Sequence, residues 1–223
     1  MHRLRLPGWV VARGAVLNDF PSLEAGRTAL VNIDLQNAFV AEDGVFGNAH
    51  ARDIVPAVNA LSRAMRAAGG PVIWTRQTYT DEPPRAPPEW QYDARRPEVA
   101  RAMAELAAGA AGHRLHPALE IGPADLIVDK YRYGAFSCPA GGLPETLERL
   151  GIAVLVLTGT LTNVCVESTA REANMAGYKV IVAGDATAAV TDAEQNAALM
   201  NLRLNFADVR RTKALLRMIR ALR

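Results

Sequence analysis

The sequence predicts a doubly wound α/β domain, with a mostly parallel six-stranded sheet and helices on both faces. Three observations predict it. Apolar runs of strand length alternate along the chain with stretches whose apolar residues recur at helical spacing. The strand-length runs are nearly continuous in apolar residues, as strands covered on both faces of a parallel sheet must be. Hydrophobic residues make up 50% and charged residues 22% of the 223 positions, which excludes intrinsic disorder and gives one domain enough apolar surface for a core.

The elements follow in order. Ala29–Ile33 is a short strand running into Asp34. Asp53–Ala68 places Ile54, Val55, Val58, Leu61 and Met65 on one helical face, and Gly69-Gly70 ends it. Pro71–Thr75 is the second strand. A long loop over 81–97 follows, carrying Pro83, Pro84, Pro87, Pro88 and Pro97; such loops serve as lids or binding loops. Glu98–Ala108 reads as a helix, Leu126–Val128 as the third strand and Leu143–Leu150 as a helix. Ala153–Leu157 is the fourth strand, entering Thr158-Gly159. Val164–Ala176 is an Ala-rich helix closed by Gly177, and Tyr178–Ala183 is the fifth strand. Asp192–Leu204 is a helix with an acid at its positive end. Ala207–Val209 supplies a short sixth strand before a final helix, Thr212–Leu222.

Residues 1–26 read as an N-terminal extension and 27–223 as a single domain. Arg3, Arg5 and Arg13 interrupt the first apolar stretch, so no signal peptide is expected. Apolar runs such as Ile152–Leu157 fall short of the roughly 20 residues a membrane span needs. A net charge of +2 gives no nucleic-acid footprint. The basic run of Arg203, Arg210, Arg211, Lys213, Arg217, Arg220 and Arg223 reads as a solvated helix face. The two cysteines, Cys138 and Cys165, sit in no metal-binding or redox pattern, and a cytoplasmic location would keep both reduced.

In parallel α/β sheets the chemistry lies beyond the carboxyl ends of the strands. Three residues there stand out: Asp34, Lys130 and Cys165. Each has a bland reading alone, as a turn residue, a surface charge and a buried small hydrophobe. Together they bring an acid, an amine and a thiol to one crevice. The carboxylate can take the thiol proton, the ammonium keeps the carboxylate charged, and the thiolate can attack a carbonyl carbon. A cysteine at a helix start also sits in a field that favours thiolate, among N–H groups able to hold an oxyanion. Cys138, before Pro139, reads as structural. Arg76 and Arg132 are candidate carboxylate clamps. Asn37 and Gln77 are candidate polar contacts, and Tyr79, Trp90, Tyr133 and Phe136 are candidate aromatic walls.

The segments Ala29–Phe39 (ALVNIDLQNAF), Asp129-Lys130, Thr158-Gly159 through Cys165-Val166 with Thr169-Ala170, and Asp185-Ala186 resemble the isochorismatase-like cysteine hydrolases. That superfamily includes nicotinamidase, N-carbamoylsarcosine amidohydrolase and ureidoacrylate amidohydrolase. The resemblance covers about residues 28–205. It implies that Asp34, Lys130 and Cys165 form a catalytic triad. It also implies a non-proline cis peptide at Thr160–Leu161, with the N–H groups of Leu161 and Cys165 as an oxyanion hole. Substrate contacts are then expected from Asn37, Phe39, Arg76, Gln77, Arg132 and Tyr133. The nicotinamidase metal site needs histidines that this chain lacks between Trp74 and Trp90, so no metal and no cofactor are expected. The expected activity is thioester-mediated hydrolysis of a small amide or ureido substrate. The segments around Cys165 and after Lys130 look most like the ureidoacrylate branch. The alternatives are an isochorismatase-type ether hydrolase, against which Cys165 speaks, and a non-catalytic binding or oligomerisation module. The resemblance further implies a homo-oligomer, dimer or tetramer, acting on a small molecule with no nucleic-acid or membrane partner.

Overall fold

The computed structural model describes residues 1–139 and 142–222. In chain order the elements are α1 (Gly8–Gly14), β1 (Thr28–Ile33), α2 (Asn37–Val40), α3 (Ala49–Asp53), α4 (Val55–Ala67), β2 (Val72–Gln77), α5 (Pro97–Glu105), β3 (Leu126–Lys130), α6 (Leu143–Arg149) and β4 (Val154–Thr160). A π-helical turn, Thr162–Val166, leads into α7 (Glu167–Met175); β5 (Lys179–Ala188), α8 (Asp192–Asn205), β6 (Asp208–Arg210) and α9 (Thr212–Arg220) complete the order.

The sheet has six strands in the order β3-β2-β1-β4-β5-β6, and every pairing is parallel. The chain therefore winds outward from β1 through β2 to β3, then crosses to the other side of β1 for β4, β5 and β6. The reversal leaves a crevice at the carboxyl ends of β1 and β4, where such folds bind ligands. Strand alternation divides the core. Leu30, Trp74, Val156 and Ile181 pack toward α4 and α9. Val31, Ile33, Leu155, Leu157 and Val182 pack toward α6, α7 and α8. Asn32, fully buried in β1, is satisfied: its Nδ2 donates to Ser62 Oγ on α4 at 3.2 Å, and its Oδ1 accepts from Thr158 on β4 at 2.6 Å.

Several boundaries depart from the sequence reading. The helix read over Asp53–Ala68 is α4, which starts two residues later at Val55 with Pro56 in its first turn; the short α3 before it is an addition to the reading. β5 runs on through Gly184-Asp185 to Ala188, because the chain bulges between the pairings Leu157↔Val182 and Gly159↔Thr187 and then rejoins the ladder. β2 and β3 extend to Gln77 and Lys130, so both residues are strand residues rather than loop residues. The short helices α1 and α2 were not anticipated. Residues 1–26 lie against the body: Arg203, 5% exposed on α8, reaches the carbonyls of Val11 and Asn18 and the Asp208 carboxylate. Arg203 and Arg210, which pairs with Asp19 and Asp208, are thus removed from the solvated basic face; Arg223 lies outside the described residues.

Candidate active site

Asp34 follows β1 in a left-handed backbone conformation, φ 51°, and is fully buried. Aspartate tolerates that region better than most residues, and the turn sends its side chain back across the strand ends. Oδ1 accepts from the Thr75 hydroxyl at 2.7 Å. Oδ2 lies 2.8 Å from Lys130 Nζ, an ion-pair distance, but the angle is outside hydrogen-bond geometry and Oδ2 accepts no hydrogen bond. The carboxylate is therefore anchored on one oxygen and open on the other.

Lys130, 1% exposed, ends β3. β2 lies between β3 and β1, so the long lysine stem has to reach past it. Nζ donates to Gln77 Oε1 at 2.6 Å and to the Arg132 carbonyl at 3.0 Å. Burial by itself would lower the ammonium pKa; the neighbouring Asp34 carboxylate outweighs it and drives the pKa up. This lysine stays charged.

Cys165 is the fourth residue of the π-helical turn and is 6% exposed. Its thiol is close enough to Asp34 and Lys130 for both to act on its pKa. The turn begins directly after the non-proline cis peptide Thr160–Leu161. Thr160 is held through its hydroxyl by the Ala188 carbonyl at 3.1 Å, and Thr162 by Gln195 Oε1 at 2.7 Å. The Leu161 carbonyl accepts from the N–H groups of Val164 and Val166, both at 3.1 Å. Gly159 makes the approach possible. Its φ is +110°, and a Cβ there would run into the Ile33 backbone.

The thiol is a correction to the helix-start argument. Burial pushes the Cys165 pKa up, and the Asp34 charge adds to that against the opposing pull of Lys130.

The expected substrate contacts separate into groups. Gln77 is 3% exposed and binds Lys130, so it positions the lysine. Arg76 is corrected: its Nε and Nη2 form a fork on Asp129 at 2.7 and 3.0 Å, so its guanidinium is committed to the protein. Burial of Asp129 is overcome by His113 and Arg76, which hold its carboxyl down at about 2. Arg132 is also largely occupied, donating to the carbonyls of Pro84, Arg85 and Tyr131; it fastens the proline-rich loop. Asn37 donates to the Ala111 carbonyl at 2.9 Å, tying down the 111–114 loop. Phe39 packs with Ala38, Tyr79 and Leu106 and stacks on Phe46. Tyr133 accepts from Gln91 and from the Tyr92 hydroxyl at 3.0 and 2.6 Å. Among the aromatic candidates, Trp90 is 83% exposed and Phe136 packs on Tyr178, so neither walls this site. Cys138 is half-buried, its sulfur accepting from the Tyr131 N–H.

Two hollows lie along the proline-rich loop. The larger, about 620 Å³, is lined by Asp81, Pro87, Tyr92, Arg95 and Met103 and holds no member of the acid–amine–thiol set. The smaller, about 80 Å³, is lined by Gln77, Tyr79, Tyr92, Arg132 and Tyr133. The smaller hollow is not lined by the set either, but Gln77 in its wall accepts from Lys130 and so places the hollow next to the set.

Sequence reasoning missed the residues that brace this set. Gln36 is fully buried; its Oε1 accepts from the Gln77 N–H, and its Nε2 donates to the carbonyls of Gln77 and His113. Thr75 holds Asp34, and Thr78 bonds His113 at 2.8 Å. Glu172 on α7 gathers the Phe136 and Ser137 N–H groups and the Ser137 hydroxyl. Gln36 stands two residues past Asp34, and that spacing was the available signal.

The family model for the isochorismatase domain matches residues 28–214. The chain belongs to the isochorismatase family. Among curated relatives of this isochorismatase-family protein, the ureidoacrylate amidohydrolase RutB of Pseudomonas savastanoi pv. phaseolicola is 34% identical over 200 residues, 82% of this chain and 80% of the relative. RutB of Klebsiella pneumoniae is 34% identical over 197 residues, 81% of each. Among solved structures, a cysteine hydrolase from Pseudomonas syringae pv. phaseolicola 1448A superposes with a TM-score of 0.82 at 28% identity, covering 93% of this chain and 98% of that one. N-carbamoylsarcosine amidase from Thermoplasma acidophilum shares the fold, with a TM-score of 0.67 at 24% identity over 83% of this chain and 96% of its own. Among the described residues, no helix is long and apolar enough to cross a membrane.

Proposed function

We propose that this protein is a cysteine-dependent amidohydrolase that cleaves a small ureido (carbamoyl) or related amide compound, with Asp34, Lys130 and Cys165 as its catalytic triad. The observation that carries the reading is the buried Asp34–Lys130 pair at 2.8 Å within reach of the Cys165 thiol. The ureidoacrylate relatives support the choice of substrate class.

In this mechanism Asp34 takes the Cys165 proton through its open oxygen as the sulfur attacks the substrate carbonyl carbon. The N–H groups of Leu161 and Cys165 hold the tetrahedral oxyanion. The C–N bond then breaks, and Asp34 returns the proton to the departing nitrogen. Water, deprotonated by Asp34, attacks the acyl or carbamoyl thioester and frees the cysteine. Lys130 keeps Asp34 anionic before each transfer and offsets the charge that builds on sulfur. An assembly of several copies in the cytoplasm fits the same reading.

The test is ammonia release from a panel of ureido acids, biuret, N-carbamoyl amino acids, nicotinamide and simple amides. Ureido acids are expected to turn over, with a covalent adduct on Cys165 in intact-protein mass spectra. Cys165→Ser is expected to lower turnover by at least about 1,000-fold while keeping the fold. Turnover that survives this change overturns the covalent route, and ether cleavage without ammonia release points to the isochorismatase reaction.

A further inference from the structure

A second cluster of chemically capable side chains lies outside the acid–amine–thiol set. His2 comes from the N-terminal extension, His50 from α3 and Asp192 from the first position of α8. One ligand atom from each, two imidazole nitrogens and a carboxylate oxygen, lies within 4.8 Å of the others. The His2 and His50 rings are tilted by 34° with centroids 3.9 Å apart.

The hydrogen bonding of His2 is the decisive detail. Its side chain is 3% exposed. Nε2 lies 3.1 Å from the Ala189 carbonyl, and Nδ1 lies 2.7 Å from Asp192 Oδ1. Both neighbours are acceptors only. With the Nε2 proton given to the carbonyl, the short Nδ1 contact to the carboxylate is met either by a second proton on the ring or by a metal ion that takes that proton's place. His50 then brings a third donor, and its Nδ1 is buried without a hydrogen bond; the nearest acceptor, Asp53 Oδ2, is at 3.4 Å. Asp53 beside one imidazole and the Ala189 carbonyl beside the other are the outer partners that orient metal-bound histidines.

We propose that His2, His50 and Asp192 form a binding site for a divalent transition-metal ion of the zinc class, which staples the N-terminal extension to α3 and α8. Two imidazoles and one carboxylate suit Zn²⁺, with water as the fourth ligand. Tetrahedral ligands at about 2.0–2.1 Å from the metal stand about 3.3–3.5 Å apart. The three ligand atoms, within 4.8 Å of one another, must close by up to about 1.5 Å to reach that spacing. Sequence reading could not find this site, because the ligands come from three distant stretches with no recognisable spacing. Ala189 also connects the staple to the nucleophile turn. Its carbonyl accepts from His2 and from Asn48, and its N–H donates to Gln195, which bonds Thr162.

The test uses the full chain freed of metal with a chelator, then titrated with Zn²⁺ or Co²⁺ alone. One ion per chain is expected. Bound Co²⁺ should show tetrahedral d–d bands without a sulfur-to-cobalt band, which separates this site from either cysteine. His2→Ala, His50→Ala and Asp192→Asn should each weaken binding at least about 10-fold. His50→Gln serves as the folded control if the alanine variant loses its far-ultraviolet signal. Bound metal should also slow proteolysis at the N-terminus. No binding by the parent chain means that a proton alone bridges His2 and Asp192, and the proposal fails. Equal binding by all variants places the ion elsewhere and also overturns it.

Discussion

Gln77 holds Lys130 from β2: its side-chain oxygen lies 2.6 Å from the ammonium, inside a pocket that Gln36 braces through both backbone groups of Gln77. Removing that acceptor leaves a buried ammonium with one partner fewer. A hydrogen bond to a charged group contributes about 1.5–3 kcal/mol. Gln77→Leu is therefore expected to lower kcat about 10- to 100-fold. Steady-state kinetics checks this, and rescue by Gln77→Glu or Gln77→Asn would separate positioning from simple packing.

The charges around the sulfur oppose one another, so two variants should move it in opposite directions. Asp34 raises the Cys165 pKa and Lys130 lowers it. Asp34→Asn is expected to speed alkylation by iodoacetamide at neutral pH while suppressing turnover. Lys130→Met is expected to slow both, and to cost about 3–5 kcal/mol by stranding a buried carboxylate. In the parent protein alkylation should rise with pH into the alkaline range. Mass spectrometry of the Cys165 peptide across pH gives the rates.

Asp129 predicts an acid-side loss of stability. Its carboxyl is held at about 2 when folded, against about 3.9 unfolded. A depressed carboxyl stabilises the fold above the unfolded value and loses that contribution as pH falls. The loss should spread between about pH 4 and pH 2 and amount to about 1–2 kcal/mol, since the side chain is 30% exposed and partly screened. Urea unfolding against pH reads it, and Arg76→Met should flatten that slope.

Gly159 is the backbone position least able to change. Gly159→Ala must hold a side chain at φ +110° against the Ile33 backbone. A destabilisation of about 2–4 kcal/mol is expected. Differential scanning calorimetry measures it, and Gly151→Ala, at φ +65° with open space around it, is the milder comparison.

The sheet was legible because its strands are buried on both faces and therefore read as unbroken apolar runs. The Asp34–Lys130–Cys165 set was legible because strand ends mark where parallel sheets place ligands. The length of β5 was not, since Gly184 and Asp185 look like an exit and only the ladder with β4 shows the chain returning. Arg76 looked like a clamp because nothing local says that the in-register neighbour, Asp129, will claim it. The roles of Gln36 and Glu172 depend on contacts with residues far along the chain, which local spacing does not reveal. The effect on Cys165 was read in the wrong direction, because burial and a neighbouring carboxylate outweigh the field of a short turn.

Asp34, Lys130 and Cys165 stand at or just past the ends of three different strands, β1, β3 and β4, and β2 must be in place between the first two. The arrangement closes only when β1, β2, β3 and β4 all stand in register. Protection of this one sulfur from a thiol reagent consequently registers the joining of those four strands, not the docking of any single piece. It offers a stopwatch for assembly that a spectroscopic average over helices would blur.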